Sequence, residues 1–265
     1  MNTLFLLILA HILADFPLQT DRINAEKSRY YWWGYTKHLI IIFLTLIVLL
    51  LPYFRPELVV AFILFSLAHM MVDVIKNFFS ARGKTDLAIF LVDQGIHFLM
   101  IYIFWGIMDF PLNPQVQTVG DFLLFPKAVE VWELFFQGVS VEKTLLTINI
   151  YALIIYGGAV FTKKVLNLPL FDLENEGSVS TGQGVMEIKK VGYYLGMLER
   201  ALIITFTVLN SLSAVAFIFT AKSIARFKEL NQKDFAEYYL TGTLLSVFLG
   251  IIGGVSLRYL LSCIL

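Results

Sequence analysis

Charge is scarce in this sequence. Twenty Lys and Arg and twenty Asp and Glu make up 15% of its 265 residues, and they cancel to a net charge of +0. A soluble domain of this length needs more polar surface than that to cover its core. The balance gives no reason to expect a nucleic-acid partner, and none is expected. With one cysteine, Cys263, no internal disulfide can form and nothing follows about redox compartment. Met1-Asn2-Thr3 lacks a basic leader region, and no small-residue cleavage site follows the apolar run. That run is therefore expected to be a retained helix. What the chain does have is apolar: 58% hydrophobic residues, 24 Phe and a mean hydropathy of +0.76. These values imply an all-α, polytopic integral membrane helix bundle.

A bilayer crossing needs roughly 20 apolar residues in helix, because backbone groups cannot go unpaired in lipid. Seven stretches come near this: residues 3–19, 38–53, 58–76, 87–108, 145–166, 195–221 and 239–261. Pro52 and Pro56 bracket a tight turn between the second and third. Three parts follow: a four-helix membrane half over 1–108, a loop with interfacial segments over 109–144, and C-terminal membrane helices over 145–265. The loop holds Pro111, Pro114 and Pro126, and its segment 129–137 is expected to lie on the membrane surface. Trp32, Trp33 and neighbouring tyrosines read as an interfacial aromatic belt. The Gly/Ser-rich run 174–184 lacks a Walker lysine and a preceding strand, so it reads as a flexible linker.

Basic residues set the orientation. Arg22, Lys27, Arg29 and Lys37 fall in the first loop, Lys76, Arg82 and Lys84 in the third, and Lys163, Lys164, Lys189 and Lys190 in the fifth. Positive-inside puts those loops in the cytoplasm and the N-terminus outside. The loop after residue 221 dissents, since Lys222, Arg226, Lys228 and Lys233 would lie outside after seven simple crossings. Either the rule is overridden there, or the sixth segment is re-entrant or double.

All four histidines precede residue 100, and three form i,i+4 pairs with aspartate: His11/Asp15, His69/Asp73 and Asp93/His97. Four residues are about one helical turn, so each pair projects from one face with about 6 Å of rise between its members. Zinc-binding H-E-x-x-H helices use the same spacing. His38 opens the second span. On the deduced topology all seven groups fall near one depth on the cytoplasmic side, where four antiparallel helices could gather them. An Asp near mid-membrane costs about 3 kcal/mol on insertion scales, so such groups face protein or water and usually have a function.

Imidazole with carboxylate suits Zn²⁺, and carboxylate-rich sets also accept Mn²⁺ or Fe²⁺. Three Asp and four His exceed one tetrahedral ion, which leaves open two ions, or one ion with a catalytic carboxylate. Gln19 and Gln94 lie beside these positions and are expected to orient ligands or touch substrate. Polar pairs can also simply join membrane helices, or relay protons and ions. In the second half Lys222 and Arg226 stand four apart, so both can reach one anion such as a lipid phosphate. The plain alternative for that half is snorkelling at a membrane edge together with an Arg–Glu lock.

The run His11-Ile-Leu-Ala-Asp15-Phe-Pro-Leu-Gln19, with His69-x-x-x-Asp73-x-x-Lys76 and Asp93-Gln94-x-x-His97, resembles an uncharacterised bacterial membrane family known as a domain of unknown function. The resemblance continues in Gly196-Met-Leu-Glu199-Arg200, Ala221-Lys222-Ser223-Ile-Ala-Arg226-Phe227 and the stretch from Glu237 to Ser246. It implies membership and brings no activity. More distantly the His/Asp pattern is similar to YdjM-type membrane-bound metal-dependent hydrolases. The function expected first is a membrane-embedded hydrolase acting at the cytoplasmic face on a lipid or lipid-linked phosphoester or amide. In it His11, Asp15, His69, Asp73, Asp93 and His97 hold one or two ions, His38 is a further ligand or acid/base, and Lys76 stabilises negative charge. A transporter or channel relaying protons or ions through Asp15, Asp73 and Asp93 is the rival. A non-catalytic scaffold is the third reading.

Overall fold

A computed structural model describes residues 1–80, 86–111, 113, 140–167, 183–231 and 233–264. Among these, all regular structure is helical and no strand occurs. The helices are α1 (Asn2–Asp15), α2 (Asp21–Ser28), α3 (Trp32–Leu49), α4 (Pro56–Ser80), α5 (Asp86–Ile107), α6 (Val141–Leu166), α7 (Gln183–Val208), α8 (Leu212–Ala225) and α9 (Lys233–Cys263). Five of these segments are long and apolar enough to cross a membrane: Trp32–Leu49, Pro56–Ser80, Leu87–Ile107, Val141–Leu166 and Ala236–Cys263. Two shorter apolar helices, Asn2–Asp15 and Leu212–Ala225, complete the set. The interfacial segment expected at 129–137 lies outside the described residues. So does the linker expected at 174–184, except for its last two residues, which open α7.

The chain forms two compact units, Met1–Asn149 and Ile150–Leu265. In the first, α1 and α3–α5 bury Leu7, Ala10, Ile42, Leu46, Leu58, Phe62, Phe65 and Ile101 against one another. Their outward faces are apolar too, with Ile40, Leu44, Val60, Leu64, Leu91, Val92 and Leu99 all exposed. Helices that are hydrophobic all round belong in lipid.

α2 is the polar exception. Thr20 caps it, accepting from the Ile23 N–H at 3.4 Å, and Asp21 stands in its first turn. It ends when Tyr30 turns left-handed (φ 57°), letting the Tyr31 N–H reach the Glu26 carbonyl and the Tyr30 N–H reach that of Lys27. This is the Schellman pattern with an aromatic residue where glycine is usual. Gly34 then lets α2 and α3 touch: a Cβ there would lie 2.7 Å from Glu26 Cβ and 2.9 Å from the Lys27 nitrogen.

The second unit corrects the expected span over 195–221. It is two helices, α7 and α8, separated at Leu209-Asn210-Ser211. Asn210 is left-handed (φ 58°), the Ser211 N–H bonds to the Phe206 carbonyl at 2.7 Å, and Arg258 Nη1 donates to Asn210 Oδ1. The chain turns back on itself, so that Lys222 of α8 meets Glu199 of α7, its Nζ 2.6 Å from Oε2. Lys222 thus stands level with Glu199, in the C-terminal half of α7. The doubled segment is one of the alternatives that the basic residues after 221 left open.

Arg200, 2% exposed, binds this unit together. A π-turn at Leu153–Gly157 in α6 loosens the local hydrogen-bond ladder, and Arg200 Nη2 donates to the Ile155 carbonyl at 3.0 Å. Its Nη1 donates to Ser246 Oγ at 3.0 Å, and Gly158 makes room for the side chain.

Candidate metal centre

The helical period puts His11 and Asp15 on one face of α1, His69 and Asp73 on one face of α4, and Asp93 and His97 on one face of α5. His38 comes from α3. All seven are buried, and the helices bring them together. Asp15 Oδ1 is the hub: His69 Nε2 lies 3.2 Å from it, His38 Nε2 3.3 Å and His11 Nδ1 3.8 Å. His11 Nδ1 and His69 Nε2 are 3.1 Å apart. His38 Nε2 is also 3.3 Å from Asp73 Oδ2, and the His69 and His97 ring centroids lie 3.9 Å apart.

Gln94 does what its position suggests. Its Nε2 donates to Asp93 Oδ2 (3.2 Å) and Asp15 Oδ2 (3.4 Å), which turns Oε1 toward His11 Nε2 at 3.2 Å. An amide oxygen only accepts, so His11 carries its proton on Nε2 and presents the Nδ1 lone pair to the hub. A hydrogen bond to the remote ring nitrogen is how metal-binding histidines are commonly oriented. Gln19 sits at the rim. With its amide oxygen turned to the ammonium it accepts from Lys27 Nζ at 2.8 Å and donates to the Asp15 carbonyl at 2.9 Å.

By its place in the chain Lys27 reads as a basic residue between the first two spans, and the structure adds a second role. It is 3% exposed, and its Nζ lies 2.5 Å from Asp73 Oδ2. Its carbonyl accepts from Tyr35 Oη (3.2 Å) and Asn77 Nδ2 (3.3 Å). Ile23 and Lys27 are the two buried residues of α2. Their i,i+4 spacing is the signal in the sequence that points to this. Lys76 pairs with Asp93 Oδ2 at 2.8 Å. Lys222 and Arg226 lie in the second unit, where Lys222 is engaged by Glu199.

Can these residues hold an ion? Three overlapping sets can: His11, Asp15 and His69; His38, His69 and Asp73; Asp73, Asp93 and His97. Tetrahedral zinc with ligands at about 2.0–2.1 Å separates neighbouring ligand atoms by about 3.3 Å. The first set, at 3.1, 3.2 and 3.8 Å, brackets that value. Among the described residues, Asp15 Oδ1, His38 Nδ1 and Nε2, His69 Nδ1, Asp93 Oδ1 and both nitrogens of His97 are buried without a protein hydrogen-bond partner. A buried polar atom of this kind costs about 1–3 kcal/mol when nothing compensates it. A cation held by the first set would engage one of these atoms, Asp15 Oδ1, and the chemistry of that donor set fits such an ion.

Fold and cluster together define a polytopic all-α membrane protein with buried His/Asp groups able to bind a metal ion. Residues 3–121 match the family model described as "Protein of unknown function (DUF3307)". The match contains every residue of the cluster and ends before the second unit, so the motifs around Glu199, Lys222 and Ser246 lie beyond it. No curated protein and no solved structure matches the chain.

Proposed function

We propose that this protein is a membrane-embedded metal-dependent hydrolase, with its site toward the cytoplasmic face of a bacterial plasma membrane and its N-terminus outside. Its substrate is a lipid or lipid-linked phosphoester or amide. The reading is carried by charge. Asp15, Asp73 and Asp93 bring three negative charges, and Lys27 and Lys76 answer two of them, at Asp73 and Asp93. The remaining charge belongs to Asp15, the carboxylate ringed by imidazole nitrogens.

One divalent cation there leaves the site at +1 with neutral histidines, and two would leave it at +3. Charge therefore favours a single ion on His11, Asp15 and His69, with Zn²⁺ first and Mn²⁺ or Fe²⁺ as alternatives. Held by these residues, such an ion would supply Lewis acidity, acidifying water and polarising the scissile group. Hydrolysis joins the water oxygen to phosphorus or carbonyl carbon and breaks the P–O or C–N bond. The departing atom takes up the proton that water gives. His38, 3.3 Å from both Asp15 Oδ1 and Asp73 Oδ2, is placed to hold that proton.

Ion transport finds less support. Along α1, α3, α4 and α5 the buried residues beyond the cluster include Leu7, Ile42, Leu46, Leu58, Phe62 and Ile101, and the polar Ser66. The apolar side chains offer a passing ion no ligand, and the Ser66 hydroxyl already donates to the Phe62 carbonyl at 2.8 Å. The deciding measurement is elemental analysis of protein purified without added metal. About one equivalent of a transition metal is expected, falling below a tenth in Asp15→Asn. Background metal in the folded wild-type protein would end this reading.

A further inference from the structure

The cluster is sealed nearly everywhere. Side-chain exposure is 4% for Lys27, 3% for Asp15, 1% for Asp73, Asp93 and His38, and 0% for His11, His69 and His97. Lys76 differs, with 25% of its side chain exposed. It is the edge at which a molecule outside can first meet the site. Its ammonium carries three donors; one serves Asp93 Oδ2 at 2.8 Å, while Asp73 Oδ1 stands off at 3.8 Å.

The same end of the unit holds α2 and a cluster of exposed rings. Tyr30, Tyr31, Trp32 and Trp33 are 51%, 59%, 68% and 70% exposed. Aromatic residues with one apolar face and one polar end sit at headgroup level. The accessible lysine thus belongs to the end of the bundle that meets lipid headgroups.

From the accessible ammonium, the headgroup-level end and the +1 balance of the ion-loaded cluster, we infer that this site selects a phosphate-bearing group, a phosphodiester of a lipid headgroup, over an uncharged amide or ester. The inference rests on the metal reading above. A phosphodiester carries one negative charge and brings a site at +1 to neutrality. Its non-bridging oxygens could meet both the cation and Lys76, and the ion pair with Lys76 is one that an uncharged amide cannot form. A neutral substrate would leave the +1 balance as it is.

The test uses the full-length, zinc-loaded protein in phosphate-free detergent, with zinc content measured on every sample. Three probes are titrated: phosphatidylglycerol, an uncharged glycolipid with the same acyl chains, and inorganic phosphate. Binding is read from the shift of the thermal unfolding midpoint. The expected result is that phosphatidylglycerol binds at least about 10-fold tighter than the glycolipid, and that Lys76→Gln weakens it about 10- to 100-fold at full zinc content. Inorganic phosphate competing with the lipid at the same Lys76 dependence supports the phosphate chemistry as well. If inorganic phosphate binds as well as the lipid, the source is soluble and the phosphate assignment still holds. Lys76→Arg keeps the positive charge and should retain binding within a few-fold, which covers the case in which Lys76→Gln does not fold. Equal binding of the two lipids, or phosphate binding unchanged in Lys76→Gln at full zinc content, overturns the inference and leaves the metal reading standing. Absence of zinc binding overturns both.

Discussion

Replacing Lys27 with methionine keeps most of the side-chain volume and removes the ammonium. In the folded protein that ammonium lies 2.5 Å from Asp73 Oδ2, with 4% and 1% of the two side chains exposed. At an effective dielectric of about 20, charges this close attract by about 6–7 kcal/mol before desolvation is counted. Removing one member of such a pair leaves the other charge buried, and the measured penalty is about 3–5 kcal/mol. We therefore expect Lys27→Met to lose about 3–5 kcal/mol in denaturant unfolding monitored in detergent with a chelator present. Lys37→Met is the control: Lys37 pairs with Glu26 at a 40% exposed position, where water screens the pair, and should stay close to wild type. Without Lys27 the cluster carries two unanswered carboxylates, so a divalent cation should bind more tightly. Zinc at about 100 times its Kd should return about 2.7 kcal/mol. Adding Asp73→Asn to Lys27→Met should cost at least about 2 kcal/mol less than the two single losses together. A Lys27→Met protein within about 0.5 kcal/mol of wild type would refute the claim that this lysine neutralises Asp73.

Three further outcomes concern the strap that delivers Lys27. Gly34→Ala would put a methyl 2.7 Å from Glu26 Cβ and 2.9 Å from the Lys27 backbone nitrogen, so α2 must lift from α3. Unfolding in detergent should show a loss of about 1–3 kcal/mol, much smaller when Lys27 is already methionine. Tyr30→Gly relieves a left-handed residue whose ring is half exposed, and should gain up to about 1 kcal/mol after the extra chain entropy of glycine. Unchanged or lower stability would mean the ring contributes packing. The Glu26 carboxyl is held below its ordinary value of 4.5, first by the hydrogen bonds from Lys37 and also by that from Arg22. Its folded pKa is depressed, so its contribution is complete above 4.5 and is lost as pH falls through the lower folded value. The protection of α2 amides, corrected for the intrinsic pH dependence of exchange, should be flat from neutral pH to about 5 and fall only in stronger acid, an effect absent in Glu26→Gln.

Much of the site was legible because helix periodicity fixes which residues share a face. His11/Asp15, His69/Asp73 and Asp93/His97 needed only the 3.6-residue repeat. Their common depth needed only alternating helix direction and the distribution of Lys and Arg. The apolar core needed no further signal, since the helices are hydrophobic on both faces. The break at Leu209-Asn210-Ser211 was not legible from hydropathy, because a three-residue turn scarcely lowers an average taken over a whole span. Asn210 is the local clue, as one of the few residues that tolerate the left-handed region. Arg200, at one end of an apolar run, reads as a residue at a membrane edge. Its burial depends on a π-turn in α6, and no pattern in the sequence announces where a helix will take one extra residue into a turn.

Lys27 shows why counting basic residues by loop falls short in a protein of this kind. As a topology marker it agrees with its neighbours Arg22 and Lys37, and the orientation drawn from them loses nothing without it. As a component of the site it changes the chemistry. With Lys76 as the sole cation, the three carboxylates would carry a net charge of −2 and could take a divalent ion to neutrality, with no demand on the substrate. With Lys27 folded in, the balance before any ion is −1, and it rests on Asp15, where His11, His38 and His69 converge. One added divalent ion then overshoots by a single positive charge. That surplus is what makes a monoanionic ligand the natural complement of the cluster. It follows from a helix of eight residues, Asp21–Ser28, too short and too polar to stand out from the loop around it.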